Sequence, residues 1–317
     1  MAKYICKRIL NSVFTLCIVI FIVFVLLRQM PVEGYFSNFD KMSDTAIEVS
    51  LQNMGLTEPV VIQFVHYIGQ VLKGDMGVSN RYRRGYSIAA IIAKKAPVSI
   101  MIGLISLVIS LTAGVILGIL MARSSKTRWK LLDKCGTVFI VIAQAVPAAV
   151  YCLLIQLYGT KILGVSMLFN ESRPSTWILP VLSLSIGNIA YYAMWLRRYM
   201  VDESNKDYVR FARAKGVNES KIVYRHILRN AIVPLAQYIP QSILLTIVGS
   251  IYVENLYSVP GMGGLLIQVI KMQDNTMVQA LVLIYASVSI LGLLVGDLVM
   301  ALLDPRIMFT KKEGARQ

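Results

Sequence analysis

Histidine is almost missing from this chain: His66 and His226 are its only two in 317 residues. Metal centres need imidazoles, thiolates or carboxylates grouped at short spacing, and no such group can be assembled here. The four cysteines, Cys6, Cys17, Cys135 and Cys152, fall in a basic tail, inside apolar runs and at a loop boundary, so no disulfide framework is expected. No Gly-x-x-x-x-Gly-Lys-Ser/Thr segment occurs, so the chain has no loop of that kind for holding ATP, and energy for any driven process must come from another subunit. Nor can a nucleophile and its base be set on one face of an apolar run, which leaves no case for a membrane enzyme.

Charge is scarce as well. Charged residues make up 15% of the chain and hydrophobic ones 56%, with mean hydropathy +0.63, whereas soluble domains carry about 25% charge. An integral membrane protein is implied. A bilayer core of about 30 Å takes roughly 20 helical residues to cross, and six runs qualify: 10–27, 98–122, 136–158, 177–196, 235–253 and 277–303. The expectation is an all-α, polytopic fold with six transmembrane helices and both termini on one side. The first run is too long for a signal-peptide core, and Gln29-Met30-Pro31 offers no cleavage site, so it reads as an uncleaved span.

The side follows from the basic residues. The amino-terminal tail, the loop 123–134, the loop after the fourth run and the carboxy-terminal tail hold 21 of the 32 lysines and arginines, which places these segments and both termini in the cytoplasm. The net charge of +15 therefore reads as topology and attraction to anionic lipid. Division of the charge among separate loops argues against nucleic acid.

Beyond the membrane, only 31–97 is long enough to form structure. Residues 47–56 look helical and end near Gly55. Pro59 opens a second helix over 60–72, and Gly74-Asp75-Met76-Gly77 reads as a turn. Arg81, Arg83, Arg84, Lys94 and Lys95 make this segment unusually basic. They suit either a solvated face or a docking surface for a partner or an acidic substrate group, and the two lysines could snorkel at the start of the second span.

The stretch 207–234 is the most basic connection. Over 208–215, Val209, Phe211, Ala212 and Ala214 alternate with Arg210, Arg213 and Lys215 as on a short amphipathic helix. Gly216 then ends it, Asn218 caps a second helix with Glu219 in its first turn, and Pro234 stands where the chain re-enters the bilayer. On pattern alone, a bent protrusion gripped by a cytoplasmic partner and a helix lying on anionic lipid are equally supported.

Ala212-Arg213-Ala214-Lys215-Gly216 resembles the coupling-helix motif of ABC importer permeases, in the form found in the peptide, dipeptide and nickel branch. Against the general Glu-Ala-Ala-x-x-x-Gly pattern, Arg210 and Phe211 replace the Glu and first Ala, and the later proline comes only at Pro234; this branch shares those departures. Residues 4–31, 56–59, 74–79, 253–263 and 303–306 are similar to further signatures of the branch in the same order. At Pro31-Val32-Glu33-Gly34 the chain departs from the usual turn. The long first outer loop is similar to the B-type of the branch's two permeases.

The resemblance implies a type I ABC importer permease fold. Its partners would be a second homologous permease, two cytoplasmic ABC ATPases, an extracytoplasmic substrate-binding protein and the lipid of a bacterial or archaeal cytoplasmic membrane. This chain would hold no cofactor, ATP and Mg being bound by the ATPases. Peptide is the expected cargo, with nickel, glutathione or an oligosaccharide as alternatives. Arg210, Ala212, Arg213, Ala214, Lys215, Gly216 and Val217 would meet the ATPases, and Pro260, Gly261 and Gly263 would form an outer gate or turn. The implied organisation is a tail and first span (1–30), an extracytoplasmic segment (31–97), a core of five spans with the coupling loop 199–234 (98–306) and a cytoplasmic tail (307–317).

Two other classes are weighed by their buried polar groups. An ion-coupled carrier needs ionisable residues in mid-membrane; only Asp297 lies well inside a run, with Glu254 near an outer end. Asp297 suits a paired structural role, with Asp304 seven residues on, better than a proton site. A scaffold without a path would bind ATPases yet move nothing. Gln156, Gln237 and Gln241 can bond across helices, Tyr191, Tyr192 and Trp195 read as interfacial packing, and Pro147 and Pro240 predict kinks.

Overall fold

The computed structural model describes residues 2–36, 38–124 and 130–303, with side chains from residue 5 onward. Asp304, Pro305, Arg306, the tail 307–317 and the basic residues Lys126 and Arg128 lie outside the described residues. Within them the chain is helical apart from turns and one antiparallel bridge between Val78 and Ser87.

Five stretches are long and apolar enough to cross a membrane: Ile5–Leu27, Ile88–Ser124, Pro174–Ser204, Val233–Leu256 and Asn275–Leu303. The first lies in α1 (Ala2–Leu27). After α2 (Asp44–Asn53) and α3 (Val60–Leu72), α4 (Ile88–Ser124) runs for 37 residues. At 1.5 Å per residue it is about 55 Å long, far more than the bilayer core requires. The run expected at 136–158 is not one continuous helix. It is split into α5 (Lys130–Ala145) and α6 (Ala148–Leu163), bent by 106° where Val146 and Pro147 intervene. Pro147 is extended (ψ 136°) and offers no N–H, so the α-helical ladder cannot continue through it. Each arm has 16 residues, about 24 Å and too short to cross alone; counted as one broken span, the pair is the sixth.

Helix α7 (Ile178–Ser204) follows, then a hairpin from α8 (Asp207–Ala214) into α9 (Glu219–Lys221). A π-helical segment (Ile222–Leu228) and the short helices α10 (Arg229–Ala231) and α11 (Val233–Ala236) lead to α12 (Tyr238–Val248). Pro240 gives no N–H to the Ala236 carbonyl, and the helix is interrupted at Gln237 between α11 and α12; a second break in this run comes at Gly249 (φ 74°). Beyond it lie α13 (Ile251–Leu256), α14 (Met262–Lys271) and the closing α15 (Asn275–Leu303).

Two seams of small residues hold the bundle. On α4, a Cβ at Gly114 or Gly118 would sit 2.8 Å from Tyr192 Cβ or 3.0 Å from the Ala193 carbonyl, so these glycines let α7 approach backbone to backbone. Ser106, Ser110 and Ser185 are buried on the same seam; the hydroxyls of Ser106 and Ser185 lie 3.0 Å apart, and Ser110 Oγ donates to the Ser106 carbonyl. On α15, a Cβ at Gly296 would lie 2.4 Å from the Gln237 carbonyl, and one at Gly292 3.2 Å from Gln241 Cα. Beside this second seam, Asp297 is bound by Arg8 of α1, whose Nε donates at 2.9 Å, and by Gln237 Nε2 at 3.1 Å. Asp297 is thus paired as expected, with these partners.

The chain between α1 and α4 folds back on the helix ends at the side opposite the hairpin. Pro59 opens α3, as its sequence position predicts, and Phe64 packs edge-on against Phe21 and Phe24 of α1. Around Asp274 the segment 79–82 is clasped to the start of α15: Asp274 Oδ2 accepts from Ser79 Oγ (2.6 Å) and from the N–H groups of Arg81 and Tyr82 (3.0 Å each). Burial alone would raise the Asp274 pKa, but these bonds and one from Thr276 outweigh it, and the carboxyl lies below its ordinary value. Arg81 is no freely solvated cation. Its guanidinium donates to the Phe36 and Glu33 carbonyls and to Gln273 Oε1, stapling the loop. The unusual Pro31–Gly34 turn is held by Asn275 Nδ2 on the Pro31 carbonyl.

Candidate functional site

The hairpin is built from an amphipathic helix and a turn that only glycine enters without strain. Val209 and Ala212 are buried against Ile222, Val223 and Ile227, while Arg210, Phe211, Ala214, Lys215 and Gly216 face outward. Bonds spanning i to i+5 in the π segment widen its turn, so that Ile222 and Ile227, five residues apart, both reach the same core. Gly216 has φ 74°, and the N–H groups of Gly216 and Val217 return to the carbonyls of Arg213 and Ala212, closing the end of α8. Asn218 caps the next turn through the Ser220 N–H.

Side chains then brace the hairpin. Arg213 makes a bidentate pair with Glu219 (Nη2–Oε1 2.7 Å, Nε–Oε2 3.1 Å), spanning the glycine turn; this hydrogen bonding raises the arginine's pKa further. Tyr208 donates to Glu203 Oε2 at 2.5 Å and accepts from Asn230 Nδ2 at 2.9 Å. Partial burial, with the bond to Glu203, raises the phenol's pKa and keeps it a donor. The expected residues thus separate. Arg213, itself exposed, lines a 440 Å³ groove between the hairpin and the ends of α4 and α7, with Arg123, Ser204 and Glu219; Arg210, Ala214, Lys215 and Gly216 share the exposed surface, whereas Ala212 and Val217 pack inward. Sequence reasoning left out Phe211, which is 68% exposed at that surface. An aromatic ring flanked by arginines on an otherwise polar face was the available signal.

At the other side, Pro260 and Gly261 turn the chain into α14, the Gly261 N–H returning to the Val259 carbonyl, while Gly263 lies in the first turn of α14; the organiser of this joint is Glu254. This buried carboxylate accepts four hydrogen bonds, Ser99 Oγ (2.7 Å) and the Ser250 N–H (3.2 Å) on Oε1, and the N–H groups of Gly263 (2.7 Å) and Gly264 (3.1 Å) on Oε2. Ser99 Oγ in turn accepts from the Met262 N–H at 2.8 Å. Helices α4, α13 and α14 are therefore knotted at one carboxylate placed at the N-terminus of α14, where negative charge is favoured. The glycines are required by space: a Cβ at Gly261 would lie 2.4 Å from Glu254 Oε2, and one at Gly263 2.7 Å from the Ile251 nitrogen. Among the described residues there is no group of three or more side chains able to hold a metal ion.

A bundle of apolar spans with a braced basic hairpin at one end and a carboxylate-centred joint at the other defines a polytopic membrane protein. The family of binding-protein-dependent transport system inner membrane components matches residues 114–309, and its amino-terminal counterpart matches residues 1–102. The chain belongs to this family, and is a multi-pass membrane subunit of a transport system. It is similar to the dipeptide transport system permease protein DppB of Lactococcus lactis subsp. cremoris, with 30% identity over 97% of this chain and 99% of that protein. It is also similar to the glutathione transport system permease protein GsiC of Escherichia coli K12, with 33% identity over 98% of this chain and all of that protein. A third relative, the oligopeptide transport system permease protein AmiC of Streptococcus pneumoniae, is 37% identical over 67% of this chain and 42% of its own length.

Proposed function

We propose that this chain is one membrane subunit of an ATP-driven importer of peptides, paired across the path with a second permease. Its hairpin side faces the cytoplasm, in accord with the basic residues gathered there. Two ATPases dock there, one of them on this chain, and supply the ATP and Mg sites; a binding protein delivers peptide to the opposite side. On this reading 199–234 is the coupling loop and 31–97 the extracytoplasmic segment. The chain itself catalyses no reaction and carries no cofactor. Peptide is the cargo named in most of the relatives above, and glutathione is itself a small peptide.

The observation that carries the reading is the exposed knob of Arg210, Phe211, Ala214, Lys215 and Gly216 on a scaffold braced from beneath. Aromatic and arginine anchors dominate protein interfaces. A stiff hairpin transmits displacement, and the ATPases bias the permeases to the extent that they grip it differently in their two states. The test is co-purification of the tagged chain from its own membranes, wild type against Phe211→Asp. Wild type is expected to bring down a second permease and ATP-binding subunits, and the variant to lose the ATPases alone. Capture of no ATPase by wild type, or full retention by the variant, refutes the assignment.

A further inference from the structure

The Glu254 knot separates two cavities. Toward the hairpin, Ser106, Asn188, Ser242 and Thr246 line a 210 Å³ cavity that reaches Ser99 and Glu254. On the other side of the knot, a 380 Å³ pocket is lined by Arg83, Lys94, Lys95, Tyr82, Tyr86 and Glu171. Its floor includes Val98 and Pro260, chain neighbours of Ser99 and Gly261 in the knot itself. The two cavities thus flank the knot, one lined by Ser99 and Glu254 and the other by the chain neighbours Val98 and Pro260.

The outer pocket has an excess of positive charge, three cations against one carboxylate. Arg81 nearby is used up in holding the loop together, and Arg83 lies over the Tyr86 ring at 5.9 Å. Among the described residues no ion pair forms to Arg83, Lys94 or Lys95. Three such cations on the side where lysine and arginine are disfavoured, gathered around a concavity of ligand size, create a field that attracts an anion.

We propose that this pocket receives the free terminal carboxylate of the incoming peptide on Lys94, Lys95 and Arg83, with Glu171 available to its ammonium group. The inference rests on the peptide-importer reading and names the entrance to its path. A zwitterionic dipeptide, with its ammonium and carboxylate at opposite ends, supplies a counter-charge to Glu171 and to the cations. The phenols of Tyr82 and Tyr86 add hydrogen-bonding edges at a site lined by apolar rings, and the hydroxyl-lined cavity beyond the knot suits the neutral peptide backbone that follows.

The test uses the assembled transporter in nanodiscs without its binding protein, titrated by equilibrium dialysis with alanyl-alanine and with alanyl-alanine amide. The free acid is expected to bind about tenfold more tightly, the factor that corresponds to 1.4 kcal/mol. Lys94→Gln with Lys95→Gln should lower its affinity to that of the amide, and Glu171→Gln should weaken both peptides alike. Equal binding of acid and amide by wild type, or an unchanged preference in the double variant, overturns the inference. A second arm follows ATP hydrolysis as binding protein is added. If the double variant needs tenfold more binding protein while its dipeptide binding is unaltered, the cations hold an acidic protein surface and the carboxylate assignment falls. A wild-type assembly that moves no peptide with ATP would instead sink the importer reading beneath it.

Discussion

Replacement of Gly263 by alanine places one methyl group in the Glu254 knot. Its carbon would lie 2.7 Å from the Ile251 nitrogen and 2.8 Å from the Ser250 carbonyl carbon, both backbone atoms that no rotamer change can move. Forcing α13 and α14 apart costs about 1–3 kcal/mol as overpacking. The same shift pulls the Gly263 N–H off Glu254 Oε2, and a hydrogen bond to a charged group contributes about 1.5–3 kcal/mol. The two together come to roughly 2.5–6 kcal/mol. Gly264→Ala is the matched control one residue away, since its Cβ meets the Val259 carbonyl at 3.3 Å and Glu254 Cβ at 3.8 Å and should cost about 1 kcal/mol. Both variants would be heated in detergent and scored for the temperature at which the monodisperse fraction falls by half. Gly263→Ala should fail at clearly lower temperature than Gly264→Ala, with Glu254→Gln close to it, because an amide nitrogen in place of either oxygen confronts two donors. Equal, small losses for the two alanine variants would refute the account of the knot as a closely packed, carboxylate-centred joint.

Gly216→Val should cost about 1–2 kcal/mol locally, the penalty of a left-handed residue that bears a Cβ, in a hairpin where nothing lies within 4 Å of the added carbon. Membrane insertion should therefore persist while ATP-driven uptake is lost, and Gly216→Asn should restore part of it; unimpaired uptake by the valine variant would count against a rigid turn. Asp274 has its pKa lowered in the fold, so its stabilisation is complete above the unfolded value of about 3.9 and fades as pH falls through the folded one. Amide exchange at Arg81 and Tyr82, corrected for intrinsic rates, should accelerate below about pH 4 in wild type. In Asp274→Asn it should be fast at neutral pH already, with little further dependence on acid.

Helices could be read from the sequence wherever one local rule dominated. Pro59 and the apolar spacing beyond it marked α3, and Gly216 with Asn218 marked the hairpin turn, because capping and positive φ are local properties. The broken third crossing was only half legible: Pro147 announced a bend, but not that both arms would be too short to span. The seams on Gly114 and Gly118 and on Gly292 and Gly296 were present as four-residue spacings, yet their partner helices are set by tertiary packing. Arg81 and Glu254 show the same limit at the candidate sites. Their roles depend on carbonyls and amides distant in sequence, and a side-chain pattern does not display backbone donors and acceptors. Phe211 was passed over because an exposed aromatic ring resembles a buried one until its surroundings are known.

The π-helical turn between the hairpin and the membrane has a mechanical consequence. Residues 222–228 hold one residue more per turn than the α-helices on either side. The wide turn sets Ile222 and Ile227, at its two ends, into one core with Leu196 and Met200 of α7 and Leu235 of α11. The link from hairpin to α12 is therefore anchored at both ends of that turn. A pull on the hairpin reaches α7 through these side chains as well as α12 through the backbone.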